Sequence, residues 1–172
     1  MFHFSLDSKT VTKDYIPYLC YPKDLEASYT RCCLAGVPVE LAKPKVILSE
    51  SQLISRQLAN AQLIILSEHL VRNIMNIETQ KECIFILCDL DLTALKIYAS
   101  QDNLEAVKKV GVGNGSVFTE KSCGTNALSL ARDHNRVVAI SGEQHYSNIF
   151  KNWWCVAGPI KNSDDKCIGY QC

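Results

Sequence analysis

The side chains with which this sequence could do chemistry gather late in the chain: Phe118, Glu120, Glu143, His145, Trp153, Trp154 and Cys155. A cysteine near a histidine raises nucleophilic catalysis, which needs a lowered thiol pKa and a base within reach. Cys155 stands beside Trp154, but His145 reaches it only if the intervening loop folds back, and no third group is evident to orient the imidazole. Enzyme activity is therefore not expected. A binding site suits the same residues better. Glu143 and His145 fall on one side if 143–145 is extended, and with Trp153 they would surround or gate a small ligand. The alternative is that they fix neighbouring loops by hydrogen bonds to backbone. Trp153 and Trp154 cannot both face inward on a strand, so one packs or lines a pocket while the other meets solvent, the N-terminal arm or a partner. Glu120 joins the ligand-facing candidates, yet with Thr125 and Asn126 it is also the kind of residue that holds turns and helix ends.

Periodicity places these residues on an α+β framework. Residues 1–48, with prolines at 17, 22, 38 and 44, are expected to form an arm holding one short helix near Leu25–Ala35, stopped by Gly36 and Pro38. Ser49 stands three residues before Gln52, as in a capping box, and a segment free of proline and glycine then predicts one long helix to about Thr79. Leu53, Ile54, Leu58, Ala61 and Ile65 form one stripe on it, while Leu63, Leu66, Leu70, Ile74 and Ile77 lie nearly opposite. A helix apolar on more than one face must be buried on more than one face, so a homodimer through the helix at 50–78 is the expected second contact.

Beyond it, 82–88 and 93–99 read as a β-hairpin with its turn at 89–91, and 104–110 as a short helix ending at Gly111. The segment 126–133 predicts a helix capped by Thr125; 137–140, 154–160 and 167–172 predict three more strands, the last an edge strand cut short by the end of the chain. Together these give a mostly antiparallel sheet with flanking helices in 49–172, preceded by the arm. GVGNG at 111–115 lacks the rest of a nucleotide fingerprint, so its glycines are read as turn devices.

Composition removes several functional classes. With 172 residues and 47% hydrophobic content, one core is expected. The 18 basic and 18 acidic residues cancel without forming blocks, which argues against a nucleic-acid footprint. No apolar run approaches the roughly 20 residues that cross a bilayer, and the first residues lack a secretory pattern, so the cytoplasm is the expected compartment. The nine cysteines have neither zinc-ligand nor disulfide framing; reduced thiols are expected and no metal site. Nothing identifies a cofactor.

GTNA at 124–127 preceded by Glu120, SGEQHY at 141–146 and WWCVAGPI at 153–160 resemble, in order and spacing, the GAF domain at the N-terminus of the acetoin and dihydroxyacetone catabolism regulators, which are sigma-54-dependent transcriptional activators. YTRCCLAGVP at 29–38 is similar to that family's upstream segment through Arg31, Cys32, Gly36 and Pro38. The resemblance implies a sensory domain controlling a following AAA+ ATPase and helix-turn-helix, neither of which these residues contain. It departs at Phe118, Gln144, Trp154, Gly158 and the final Tyr170, Gln171 and Cys172. The family implies a small metabolite as signal. A protein-interaction platform with a filled cavity is the alternative, since family members can take their signal from a protein, and a cysteine-based redox sensor centred on Cys155 is another. Ligand entry between the sheet and the loops at 111–126 and 141–155 is expected to shift the domain between two arrangements, with the long helix transmitting the change.

Overall fold

The computed structural model describes residues 19–75 and 83–172. Its first helix, α1 (Pro22–Leu34), starts with proline in the first turn, where no backbone donor is needed, and ends before Gly36 at φ 63°. This matches the short helix expected in the arm.

The capping box at Ser49 also forms. The Ser49 side chain accepts from the Gln52 amide, and Gln52 Oε1 accepts from the Ser49 amide at 3.0 Å. The single long helix does not. The segment divides into α2 (Glu50–Ala59) and α3 (Ala61–Met75) at Asn60, whose side-chain amide donates to the Arg56 carbonyl at 2.9 Å. An asparagine bonded back to its own helix offers the backbone a competing partner and ends the first segment without proline or glycine. The change of apolar face after Leu63 is the sequence trace of that break. The expected extension to 78–79, Ile77 and the strand start at 82 lie outside the described residues.

Five antiparallel strands follow: β1 (Phe85–Cys88), β2 (Ala94–Tyr98), β3 (Val138–Ser141), β4 (Trp154–Lys161) and β5 (Cys167–Gln171), ordered β2-β1-β5-β4-β3. The expected mostly antiparallel α+β, GAF-like fold is the one observed. One expectation is corrected: β5 is the central strand, paired with both β1 and β4, and not an edge. Its short apolar run, CIGYQ, has the composition of a strand covered on both faces.

Strand alternation, broken once by the register shift at Ile160/Lys161, separates the two faces. Ile86, Cys88, Ala157, Tyr170 and Cys172 belong to the main core with α6 (Ala127–His134), while Leu87, Leu95, Ile160 and Ile168 pack with Leu63 under α3. At Gly169 a Cβ would come within 2.7 Å of both the Cys88 carbonyl and Leu63, so α3 seats through the missing side chain. The connection from β2 contains α4 (Gln101–Lys109), the glycine loop and the four-residue α5 (Glu120–Cys123). No helix among the described residues is long and apolar enough to cross a membrane.

Candidate functional site around His145

The GTNA turn is built for close approach. Gly124 has φ 72°, and a Cβ there would meet the Tyr146 ring and Cβ at 2.7–3.0 Å. Asn126, not the expected Thr125, caps α6: its Oδ1 accepts from the Ser129 amide at 3.0 Å, and its Nδ2 donates to the carbonyls of Phe118 and Gly124 at 2.9 and 2.8 Å. Thr125 is displaced from that role because its hydroxyl is fully buried against Ser28 (2.7 Å) and Cys32 (3.5 Å) of α1.

Opposite this turn, the β3–β4 connection folds back on itself. The Gly142 amide donates to the Trp153 carbonyl at 3.0 Å, and Gln144 Oε1 accepts from the Ser141 amide at 2.9 Å. Gln144, a departure from the resembled pattern, thus closes a turn. The next residue, His145, is 1% exposed. Burial lowers its pKa to about 4, opposed in part by its hydrogen bond to the Gly142 carbonyl. That bond, at 3.1 Å to Nδ1, fixes the neutral tautomer: a nitrogen facing a carbonyl must carry the proton. Nε2 is left with a bare lone pair and is buried without a hydrogen-bond partner.

His145, Phe118, Phe150 and Trp153 surround a cavity of about 20 Å³, with Cys155, Cys172 and Ile86 from the sheet and the first residues of α6 completing the wall. Phe150 is the hub, its ring centroid 6.0 Å from His145 and 6.2 Å from both Phe118 and Trp153. The structure therefore brings together four of the seven candidates: Phe118, His145, Trp153 and Cys155. Sequence reasoning missed Phe150, because the passage around it has no period, and Asn126, Leu128 and Cys172. The available signal was the apolar pair Ile149–Phe150 set among polar residues, three positions before the first tryptophan.

The other three candidates lie outside the cavity. Glu120 opens α5 and grips α1: Arg31 Nε and Nη2 donate to its two carboxylate oxygens at 2.8 and 2.6 Å, Ser28 also donates to it, and Arg31 reaches Asp133 at 2.9 Å. Glu143 is exposed and pairs with Lys151 at 2.7 Å. Trp154 occupies the alternate position on β4, pairs with Ser141 across the ladder and is partly buried. Trp153 is thus the tryptophan that lines the pocket.

Cys155 and Cys123 are poor nucleophiles as placed. A hydrogen bond with Cys172 and then burial push the Cys155 thiol up; burial pushes Cys123 up to about 12. Among the described residues, no group of three His, Cys, Asp or Glu side chains is arranged to hold a metal ion.

A second feature lies on the other face of the sheet. A groove of about 1070 Å³ runs between α2–α3 and the sheet, lined by Leu58, Leu63, Leu66, Leu70, Ile74, Phe85, Ile160 and Ile168 among others. Leu58, Ile65, Leu66 and Leu70 are 61–73% exposed.

These features define a mixed α+β domain with an interior aromatic site and an uncovered helical face. The curated proteins that the chain resembles in sequence are regulators. The chain is 25% identical over 149 residues to the signal-transduction and transcriptional-control protein of Clostridium beijerinckii and 26% identical over 147 residues to the acetoin dehydrogenase operon transcriptional activator AcoR of Bacillus subtilis, covering 87% and 86% of this chain. It is 27% identical over 89 residues, 52% of the chain, to the PTS-dependent dihydroxyacetone kinase operon regulatory protein of Escherichia coli. It spans about a quarter of the length of the first two relatives, 24% of each, and 14% of the third. The crystal structure of the E. coli DhaR(N)–DhaL complex superposes with a TM-score of 0.80 at 20% identity, over 86% of this chain and 50% of that one. No protein-family model matches the chain. Its homologues are regulators of the AcoR and DhaR type, and its fold is that of the DhaR N-terminal domain.

Proposed function

We propose that this chain is the signal-sensing domain of a bacterial transcriptional regulator, and that the signal is a small metabolite received at the interior site around His145. The observation that carries the proposal is the match of 86–87% of the chain to two transcription-control proteins. In the longer protein the domain would control a sigma-54-dependent AAA+ ATPase followed by a helix-turn-helix, in the cytoplasm. The division into an arm over 1–48 and a GAF domain over 49–172 is part of the same reading, with the arm acting as a strap: Tyr29 donates to the Glu143 carbonyl at 3.0 Å, Tyr146 donates to the Val37 carbonyl at 2.9 Å, and the two rings stand 5.5 Å apart.

His145 faces the cavity and Tyr146, the next residue, holds the strap. Movement of one carries the other. The exposed apolar residues of α2–α3 would join two copies into a dimer, which then senses the change through the sheet. Neither a metal nor catalysis is needed. Transcription driven by the full-length regulator tests the proposal: removing this segment should abolish signal dependence, and unchanged dependence would refute it.

A second reading has a specific observation in its favour. The cavity is far smaller than the roughly 300–1,000 Å³ of ordinary ligand pockets. A domain with a filled interior would take its signal from a protein at its surface, as the existence of a DhaR(N)–DhaL complex suggests for that relative. The redox alternative has less support, because the partly buried Cys155 and the buried Cys123 both have raised thiol pKa values.

A further inference from the structure

We propose that the open strand edge at Ile47 receives an extended, acidic segment of a protein partner, which adds a strand there while its carboxylates meet a cluster of lysines. The inference goes beyond the interior site and rests on the sensory-domain reading for its regulatory meaning alone.

The edge follows from the backbone bonds. Residues 115–118 run beside the start of β2, with the Ala94 amide donating to the Ser116 carbonyl and the Phe118 amide to the Leu92 carbonyl, both at 2.8 Å. On the other side of 115–118 the arm lies antiparallel: the Leu48 amide donates to the Gly115 carbonyl at 2.9 Å and the Val117 amide to the Val46 carbonyl at 3.0 Å. These bonds flank Ile47 and Ser116, which therefore form a non-hydrogen-bonded pair whose own backbone groups point away from each other. The Ile47 amide and carbonyl have no hydrogen-bond partner among the described residues. They face outward at the rim of the sheet, between the half-exposed side chains of Val46 and Ile47. Unpaired N–H and C=O groups on an edge are a template for another strand.

Charge selects the strand. Pro44 is buried, which turns Lys43 and Lys45 on either side of it outward. Lys43 packs on Gly111, where an added Cβ would collide with the lysine's own, and so stands at the end of α4 beside Lys108 and Lys109. The Lys45 amide donates to the Ser122 carbonyl at 3.0 Å, which brings in Lys121. All five lysines are exposed, and among the described residues only Lys151 and Lys161 are the lysines held in ion pairs. Glu40 and Glu105 are near in sequence but pair with none of the five. A second copy of this chain does not suit the edge, because like charges would face each other across the new ladder. A nucleic acid would answer the lysines but leave the Ile47 amide and carbonyl without a strand to pair with. An acidic strand answers both.

The experiment uses the unaltered 172-residue chain and an octapeptide of alternating glutamate and valine, read by the Ile47 amide resonance and its hydrogen exchange. The proposal predicts a saturable shift, exchange of the Ile47 amide slowed on binding, and affinity that falls as salt is raised. The fully N-methylated peptide keeps the charge but cannot donate, and it should bind about tenfold more weakly. Lys108→Ala combined with Lys109→Ala should weaken the glutamate peptide by about fivefold, the scale of two exposed ion pairs. Equal binding of the N-methylated peptide or of a lysine-valine peptide, no saturable response, or equally tight binding of oligothymidylate would each overturn the proposal. Sensing fails separately: if the glutamate peptide protects Ile47 but the double lysine variant leaves transcription by the full-length regulator unchanged, the surface stands and its regulatory role falls.

Discussion

The two faces of the sheet have been finished in opposite ways. On the α6 face, Phe118, His145, Phe150 and Trp153 close around about 20 Å³; on the α3 face, a groove of about 1070 Å³ stands open and several leucines and isoleucines are left uncovered. Complete burial makes one unpaired nitrogen costly and therefore selective. Incomplete burial makes an apolar surface adhesive and far less discriminating. A signal recognised by chemistry belongs on the first face, and a contact recognised by shape and area on the second.

The largest effect expected from challenging this division is at the turn that seats the closed face. Gly124→Ala adds a Cβ at positive φ within 3 Å of Tyr146 and should cost about 4 kcal/mol in urea unfolding, with the strap contacts of Tyr146 lost. On the open face, the buried and exposed leucines of α3 should separate cleanly. Leu63→Ala, which opens a void beneath Gly169, should cost about 3 kcal/mol. Leu66→Asp or Leu70→Asp should change stability by no more than about 0.5 kcal/mol while abolishing concentration-dependent association in sedimentation.

The pH dependence of stability sharpens the account of the closed face. The folded pKa of His145, about 4, lies below the ordinary 6.5, so the unfolded chain binds the proton more readily between these values. Stability is unaffected by this group above about pH 6.5, falls as pH drops, and has lost about 3 kcal/mol once pH reaches the folded value. His145→Leu should flatten that part of the denaturation profile. A smaller effect than at Gly124, Leu63 or His145 is expected at the strap: Arg31→Ala breaks the pairs to Glu120 and Asp133, but Arg31 is about half exposed, and a loss of about 1 kcal/mol is expected in the same unfolding assay.

What the sequence made legible follows from how local the determinants are. The Ser49–Gln52 box, the β1–β2 hairpin and the α1 stop at Gly36 depend on neighbours within a few residues and form as expected. Asn60 was opaque as a helix break because asparagine inside a helical pattern is common, and only its bond to Arg56 marks it. The cap at α6 is Asn126 and not the expected Thr125, because α1 takes the threonine hydroxyl from 97 residues away, which no local pattern reveals. The position of β5 was misread for a related reason: strand order is set by long-range pairing, and nothing within CIGYQ states which strands flank it.

At the candidate site, alternation on β4 limited the tryptophans to one inside but could not choose between them. Glu120 and Glu143 looked like site residues because they neighbour the motifs, yet each has an ion-pair partner, Arg31 and Lys151, which the chain delivers only on folding. His145 was identified, although its unpaired nitrogen could not be, because that property depends on the Gly142 carbonyl taking the other side of the ring.

Hydrogen exchange followed by mass spectrometry tests the division of labour most directly, with His145→Leu compared with the unaltered chain and protein concentration varied independently. The substitution should change protection over 118–150 and the strap residues 29–39, while higher protein concentration should protect 54–74. A response confined to 54–74 under both conditions, or none to the substitution, would contradict the division between the closed and the open face.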